Sequence, residues 1–173
     1  MKRLFFALTL MLCVASSCFA ASAPKVCVAV YAMDGYDTPV EDVWYSDTYK
    51  LIAKELEANG ISSANANDVW KEFVYSTGKL GKTLNKDEVK KSYNDFRKER
   101  FDHILMFKTD KFVTHPNTNT CDVAVTMTVK KATDMDGEPL VVYKDSASNR
   151  NASERDTILS SMIKDMVNCY IHS

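Results

Sequence analysis

Two residues of this chain have the types needed for a nucleophile and its base, Cys121 and His115. Both lie near one predicted loop, and an imidazole beside a thiol can take its proton and activate it. No third residue can be identified that would orient the imidazole, so a half-buried structural thiol is the favoured interpretation. The other histidines, His103 and His172, lack the close spacings of metal sites. We therefore expect no catalytic residue, no metal and no cofactor.

Two further segments approach ligand-binding motifs without matching them. The segment Ser76–Thr83 has serine where a phosphate-binding P-loop needs its first glycine, because the backbone amides must wrap closely around the phosphates. In Asp134–Gly137, aligning Gly137 with the turn glycine of a calcium loop puts Ala132 and Tyr143 at two ligand positions. The first segment therefore predicts a plain loop and the second a hairpin turn.

An acidic and aromatic loop follows the first predicted strand. It contains Asp34, Tyr36, Asp37, Glu41 and Trp44. Ligands of open α/β sheets tend to lie at the carboxyl ends of strands, and these side chains would suit a partner or a small cationic ligand. The alternative, which we favour for Trp44, is that it begins the apolar stripe of the first helix.

Residues 1–23 have the composition of a secretory signal peptide. Lys2 and Arg3 precede an uncharged apolar run at Leu4–Val14, and small residues follow it. This run is shorter than the ~20 residues that span a bilayer. Cleavage is expected after Ala20 or Ala23, which leaves 24–173 as a single domain outside the cytoplasm.

Cys18 suggests an alternative route of export. The segment Ala15–Cys18 resembles a bacterial lipobox, in which the cysteine is acylated and anchors the protein to a membrane. The residue three before the cysteine is usually leucine in that pattern and is alanine here. Plain secretion, periplasmic or extracellular, is therefore favoured over a lipid anchor.

Charge excludes some partners. Removing the signal peptide removes two positive charges and no acids, so the net charge becomes (22 − 2) − 23 = −3. No block of like charge is present, and we expect no binding to nucleic acid or to an anionic membrane surface.

Hydrophobic periodicity predicts the elements that must position these residues. In chain order they are a strand at Lys25–Ala32, a helix at Tyr45–Ala58, a helix or strand at Asp68–Tyr75, a helix from Asn85 to Arg100, strands within 101–114, 121–133 and 140–144, and a helix at Ala152–Ile171. The apolar first strand should be central in a sheet. The order predicts an α/β fold bordering on α+β: one mixed sheet of about four strands with an antiparallel C-terminal meander, packed by three to four helices.

Three cysteines follow the predicted signal peptide, at Cys27, Cys121 and Cys169. In an oxidising compartment an odd count suggests one disulfide and one free thiol, although three buried thiols are the alternative. If the last helix returns antiparallel to the first strand, Cys169 lies near Cys27. A disulfide, if formed, is therefore expected between these two.

Four segments carry a resemblance that spans most of the chain after residue 23. They read KVCVAVYA (25–32), LIAKELEANGIS (51–62), FDHILMFKTDKF (101–112) and CDVAVTMTVKKATDMDGEPLVVYKDSA (121–147). With the terminal amphipathic helix, they resemble periplasmic α/β domains of Gram-negative envelopes: the N-terminal domain of TolB, CsgG, and the lipoprotein activators of peptidoglycan synthases. The resemblance implies binding or scaffolding at the envelope without catalysis. The long lumen strands of pore-forming members are missing.

The leading hypothesis is an exported, non-catalytic protein that binds an envelope protein or another macromolecule. One rival is an exported ligand carrier or hydrolase that uses Asp34, Asp37 and Glu41. The other is a structural envelope subunit, which would assemble with itself.

Overall fold

Five strands and four helices form the parts of the chain that the computed structural model describes, residues 23–32, 42–78 and 85–173. In chain order they are β1 (Lys25–Ala32), α1 (Asp42–Ala58), β2 (Ser62–Asn65), α2 (Ala66–Thr77), α3 (Lys86–Lys98), β3 (His103–His115), β4 (Thr120–Lys131), β5 (Val141–Asn151) and α4 (Arg155–Ile171). The fold is of the α+β class. Within the described ranges no helix is long and apolar enough to cross a membrane.

The strands form one mixed sheet in the order β2-β1-β3-β4-β5. β1 runs parallel to both of its neighbours, and β3, β4 and β5 form an antiparallel meander. The predicted mixed sheet and its meander are confirmed, but it has five strands where about four were predicted. The missed strand, β2, reads Ser-Ser-Ala-Asn and has no apolar alternation, so only its backbone pairing with β1 marks it as a strand.

Helices α1 and α4 cover one face of the sheet. α1 contributes Ile52 and Leu56, and α4 contributes a stripe that includes Ile163 and Met166. The alternating apolar residues predicted for β4 point into this layer: Val123, Val125, Met127 and Val129 are all buried. Gly60, with φ of +74°, ends α1 in the left-handed conformation that its position after Asn59 predicts.

Helices α2 and α3 cover part of the other face. Their aromatic rings pack together, with the Phe73 ring 5.3 Å from that of Tyr93 and 5.4 Å from that of Phe96, centroid to centroid. This cluster lies over Cys27 of β1 and Ile104 of β3. The segment left open as helix or strand is therefore a helix, because its apolar residues need a helical period to meet α3.

Two predicted boundaries near the C-terminus differ from the structure. β5 continues to Asn151, well past the predicted end at Lys144, because an edge strand can keep polar residues exposed while its backbone still pairs with β4. α4 begins at Arg155, later than predicted. The Asn151 side chain instead accepts a hydrogen bond from the backbone N–H of Ser153 and caps a short 3₁₀ turn, Ala152–Glu154.

Candidate functional site

One half of a sheet face has no helix over it in the described parts of the chain. α2 and α3 pack over Cys27 of β1 and Ile104 of β3. On that side they leave β4, β5 and the later parts of β1 and β3, at Tyr31 and Lys108, uncovered. We call this surface the open face. Two rows of paired residues cross it, one formed by Tyr31, Lys108, Thr126 and Lys144 and the other by Met106, Thr128 and Val142.

A polar cluster lies at the end of the open face farthest from Lys25, the first residue of β1. The buried carboxylate of Asp122 accepts hydrogen bonds from Lys111 Nζ at 2.5 Å, from the backbone N–H of Asn149 at 2.9 Å and from His115 Nε2 at 3.2 Å. Lys111 and His115 are each about half exposed. One carboxylate therefore ties together β3, β4 and β5.

Irregular backbone brings these groups together. The β4–β5 register shifts between Cys121 and Val123, so Asp122 faces extra residues of β5. One of them, Asn149, has φ of +55°, and its N–H points to the carboxylate instead of into the ladder. A second register shift, between Thr109 and Lys111, changes the direction in which the side chains of β3 point beyond Asp110. Such bulges bend a strand and redirect side chains.

The hydrogen bond from Lys111 holds the pKa of the Asp122 carboxyl well below its usual range, and the Asn149 N–H and His115 add to this effect. The carboxylate is therefore ionised at neutral pH, and its acceptor positions are filled by residues of this chain. A saturated, buried carboxylate is suited to stabilising the fold.

The middle of the open face has one unpaired cation. Lys108 pairs with Asp110 at 3.2 Å, and Asp110 also accepts a hydrogen bond from the Thr126 hydroxyl. Lys144 has no ion-pair partner among the described residues. Tyr31, on the same row, is 49 % exposed. The face thus offers a free ammonium, hydroxyls and an aromatic ring to a partner.

A cavity of about 510 Å³ lies at the opposite end of the sheet, beside Pro24, Ile61 and Leu140. Its polar wall contains His103, whose Nδ1 lies 2.6 Å from the hydroxyl of Tyr170. Burial lowers the pKa of His103, and burial raises the pKa of Tyr170 to about 12. The two side chains therefore form a neutral, hydrogen-bonded pair at pH 7. Asp102 acts on the pKa of both groups, but its carboxylate accepts a hydrogen bond from the backbone N–H of Lys25.

Most of the predicted site residues fall outside the described parts of the chain. These are Asp34, Tyr36, Asp37 and Glu41 of the acidic loop and Cys18 of the lipobox-like segment. Trp44 lies in α1, although its side chain is not described. The acidic-loop site, the lipid anchor and the signal peptide therefore stay predictions.

The structure does not bring Cys27 and Cys169 together. Alternation along β1 points Cys27 into the cluster beneath α2 and α3, whereas Cys169 is exposed on α4, which packs on the opposite face. Both thiols are free in the structure, as is that of Cys121. The predicted antiparallel return of the last helix placed the two residues near one end of the sheet but did not account for the face on which each one lies.

The thiols should differ sharply in reactivity. Burial raises the pKa of Cys27 to about 11, and burial also raises that of Cys121, whose Sγ donates to the carbonyl of Asn151 at 3.4 Å. We expect DTNB at pH 8 to modify Cys169 alone in the folded protein and the two buried cysteines only after denaturation. Peptide mapping of the labelled thiols checks this. A Cys169 that reacts only after reduction would instead support the predicted disulfide.

The remaining motifs have structural roles. Ser76 and Thr77 lie at the end of α2, where both hydroxyls donate to the carbonyl of Phe73, and 79–84 are not described. Gly137 closes its turn by donating its N–H to Asp134. His115 binds Asp122 and so does not form the thiol–imidazole pair considered with Cys121. In the described ranges no group of residues is arranged to hold a metal ion.

Sequence reasoning missed Lys111 and Asp122 as a linked pair. The alternation in β4 placed Asp122 on the polar side of that strand, which suggested exposure. Its burial results from the two register shifts, which leave no distinct signal in the sequence.

The fold and this surface define the class of protein: an α+β domain whose mixed sheet is covered on one face and half open on the other. No protein-family model matches the chain, and no curated protein matches it in sequence. Solved structures do match. PelC from Paraburkholderia phytofirmans, determined as a dodecamer, has a TM-score of 0.54 at 15 % identity, over 85 % of this chain and 88 % of its own.

A second similar structure is the lipoprotein GNA1162 from Neisseria meningitidis. Its TM-score is 0.49 at 13 % identity, over 87 % of this chain and 98 % of that one. At such identities the PelC likeness establishes a shared fold alone. Neither protein is TolB or CsgG, so the finer resemblance inferred from the sequence stays a prediction.

Proposed function

We propose that this chain is exported to the cell envelope and acts there, without catalysis, by binding another macromolecule through the open face. The observation that carries this proposal is a row of side chains that crosses four strands, from the exposed Tyr31 to the exposed Lys144, on the face of the sheet that α1 and α4 do not cover. Rigid strands hold such side chains at fixed spacings, which favours recognition of a partner.

The chemistry of the open face favours an acidic partner. Its four lysines, Lys108, Lys111, Lys130 and Lys144, outnumber its two aspartates, Asp110 and Asp122. Lys130 donates hydrogen bonds to the carbonyls of Met135 and Gly137. Both aspartates are already paired with lysine, so Lys144 is the cation left to bind a carboxylate of the partner. The composition of residues 1–23 supports export. The dodecameric state of PelC is a further reason to expect protein partners for this fold.

Site-specific crosslinking in intact cells tests the proposal. A photo-reactive amino acid at Thr128 should capture a partner. The capture should fall about tenfold when Lys144→Glu is added. The matched control is Lys164→Glu, which reverses the charge of another exposed lysine, on α4 over the opposite face, and should leave capture unchanged. If both variants reduce capture equally, or if Lys144→Glu does not reduce it, the partner does not bind through the open face.

Export is tested separately. Mass measurement of the protein from its native cell should show an N-terminus after Ala20 or Ala23, or an acylated Cys18 if the anchored alternative holds. If the chain still begins Met-Lys-Arg, the proposed export to the cell envelope is wrong.

A further inference from the structure

The outer edge of β5 is the feature that carries a further inference. β5 ends the sheet order and hydrogen-bonds to β4 alone among the described strands. An edge strand presents a row of unpaired N–H and C=O groups that another strand can complete. The opposite edge, β2, has only 4 residues, whereas β5 has 11.

The first part of this edge has none of the features that normally prevent pairing. Charged side chains and bulges protect natural edges. Val141, Val142 and Tyr143 carry no charge, and Val142 is 52 % exposed. The protective features come later, where Asn149 has its positive φ and the register with β4 shifts. The apolar start of β5 is therefore the segment available for pairing.

We propose that a second copy of this chain pairs with the start of β5, antiparallel and about a two-fold axis at Val142. Side chains directly opposite each other in an antiparallel pair interact, and like charges there are unfavourable. A two-fold axis at Lys144 or at Asp145 would oppose identical charges. An axis at Tyr143 would set Val142 against a lysine and Val141 against an aspartate.

The axis at Val142 opposes no identical charges, and it moves the contact with lysine out to Leu140, just before β5. It opposes Val142 to its own copy and Val141 to the partner's Tyr143, so apolar residues meet on both faces of the joined sheet. Pairing ends near Pro139, which has no N–H to donate. The interface is short, so we expect a reversible dimer with a micromolar Kd.

An independent observation places an accessible thiol beside this axis. α4 packs against β5, and its residues Asp165 and Cys169 are near enough to Tyr143 to add to the rise that burial causes in the pKa of Tyr143. Cys169 is exposed, and it lies on α4 near the strand residue that adjoins the axis. In the dimer the two Cys169 thiols therefore lie on the same side of the joined sheet.

Sedimentation equilibrium and crosslinking test the proposal together. We expect the wild-type chain to dimerise below about 0.5 mM and Val142→Lys to weaken the dimer at least about tenfold. Tyr75→Lys, which also replaces an uncharged residue with lysine, at a site that is 77 % exposed on α2, should have no effect. A short bismaleimide should join wild-type chains through Cys169 and fail with Cys169→Ser.

Three results would overturn the dimer. These are a wild-type chain that stays monomeric throughout the range, an association that Val142→Lys leaves intact, and chains that bismaleimide does not join. The wild-type crosslink requires no variant to fold, so the test remains decisive if Val142→Lys is unstable. The inference does not rest on the proposed partner, because each measurement uses the purified chain alone.

Discussion

Phe73→Ala is expected to lower the free energy of unfolding by about 3–5 kcal/mol, the largest effect of any single change proposed for this protein. Phe73 is 2 % exposed, and its ring meets those of Trp70, Tyr93 and Phe96. Alanine would leave a cavity between α2 and α3 that the surrounding backbone can fill only partly. Urea unfolding followed by circular dichroism measures the loss.

Tyr75→Ala is the matched control for this prediction. Tyr75 lies on the same helix but is 77 % exposed, and surface changes of this kind usually stay within about 0.5 kcal/mol. A loss below about 1 kcal/mol for Phe73→Ala would mean that α2 is not anchored by its aromatic stripe. The helical assignment of 66–77 would then need revision as well.

Asp122→Ala is expected to produce the second large effect, a fall in Tm of roughly 5–10 °C. The substitution removes the acceptor of Lys111 Nζ, of the Asn149 N–H and of His115 Nε2 at once. The hydrogen bonds by which one carboxylate joins β3, β4 and β5 would be lost together, and hydrogen bonds to a charged group each contribute more than neutral ones. Thermal unfolding of the two proteins at pH 7 measures the difference.

The pH dependence of stability gives this prediction a sharper form. The pKa of Asp122 is lower in the folded protein than the value of about 3.9 expected after unfolding. Its contribution is therefore complete above about pH 4 and is lost as the pH falls toward the lower folded value. Wild-type stability should drop more steeply in acid than that of Asp122→Asn, which has no charge to lose.

Asp95→Asn is the control for the acid effect. Asp95 pairs with Lys98 on the surface of α3, where both side chains are about half exposed, and such pairs contribute little. Its acid profile should follow that of the wild type. Parallel profiles for wild type and Asp122→Asn would show that the Asp122 cluster does not stabilise the ionised state.

Particular residues show why so much of the fold could be predicted. The run Lys25–Ala32 has no alternation, which predicts a strand buried on both sides, and Val26, Cys27 and Val28 are fully buried in β1. The alternation in β4 and the four-residue period in α4 identify their inward faces in the same way. These signals are strong because burial of apolar area dominates the energetics of each element.

Weaker local signals explain the misses. β2 has a single apolar residue, Ala64, and is a strand only because the unpaired edge of β1 lies beside it. The second half of β5 is hydrophilic because an edge strand needs just one buried side, and its length depends on β4. In both cases backbone hydrogen bonds to a distant segment outweigh the local preference.

The candidate surface depended still more on tertiary structure. The spacing of the acids and aromatics after β1 directed attention to Asp34 and Asp37, which lie outside the described residues. The open face combines Tyr31, Lys108, Thr126 and Lys144 from four strands. Their proximity follows from strand order and register, to which no short motif corresponds.

By itself the sequence determined the apolar faces of the elements, the mixed character of the sheet and its meander, because these depend on periodic burial along the chain. Only the tertiary structure decided which side of the sheet α2 and α3 cover, how Asp122 became buried, and that Cys27 and Cys169 lie on opposite faces. Those features depend on register and on the pairing of distant segments, where a shift of one residue reverses the direction of every side chain.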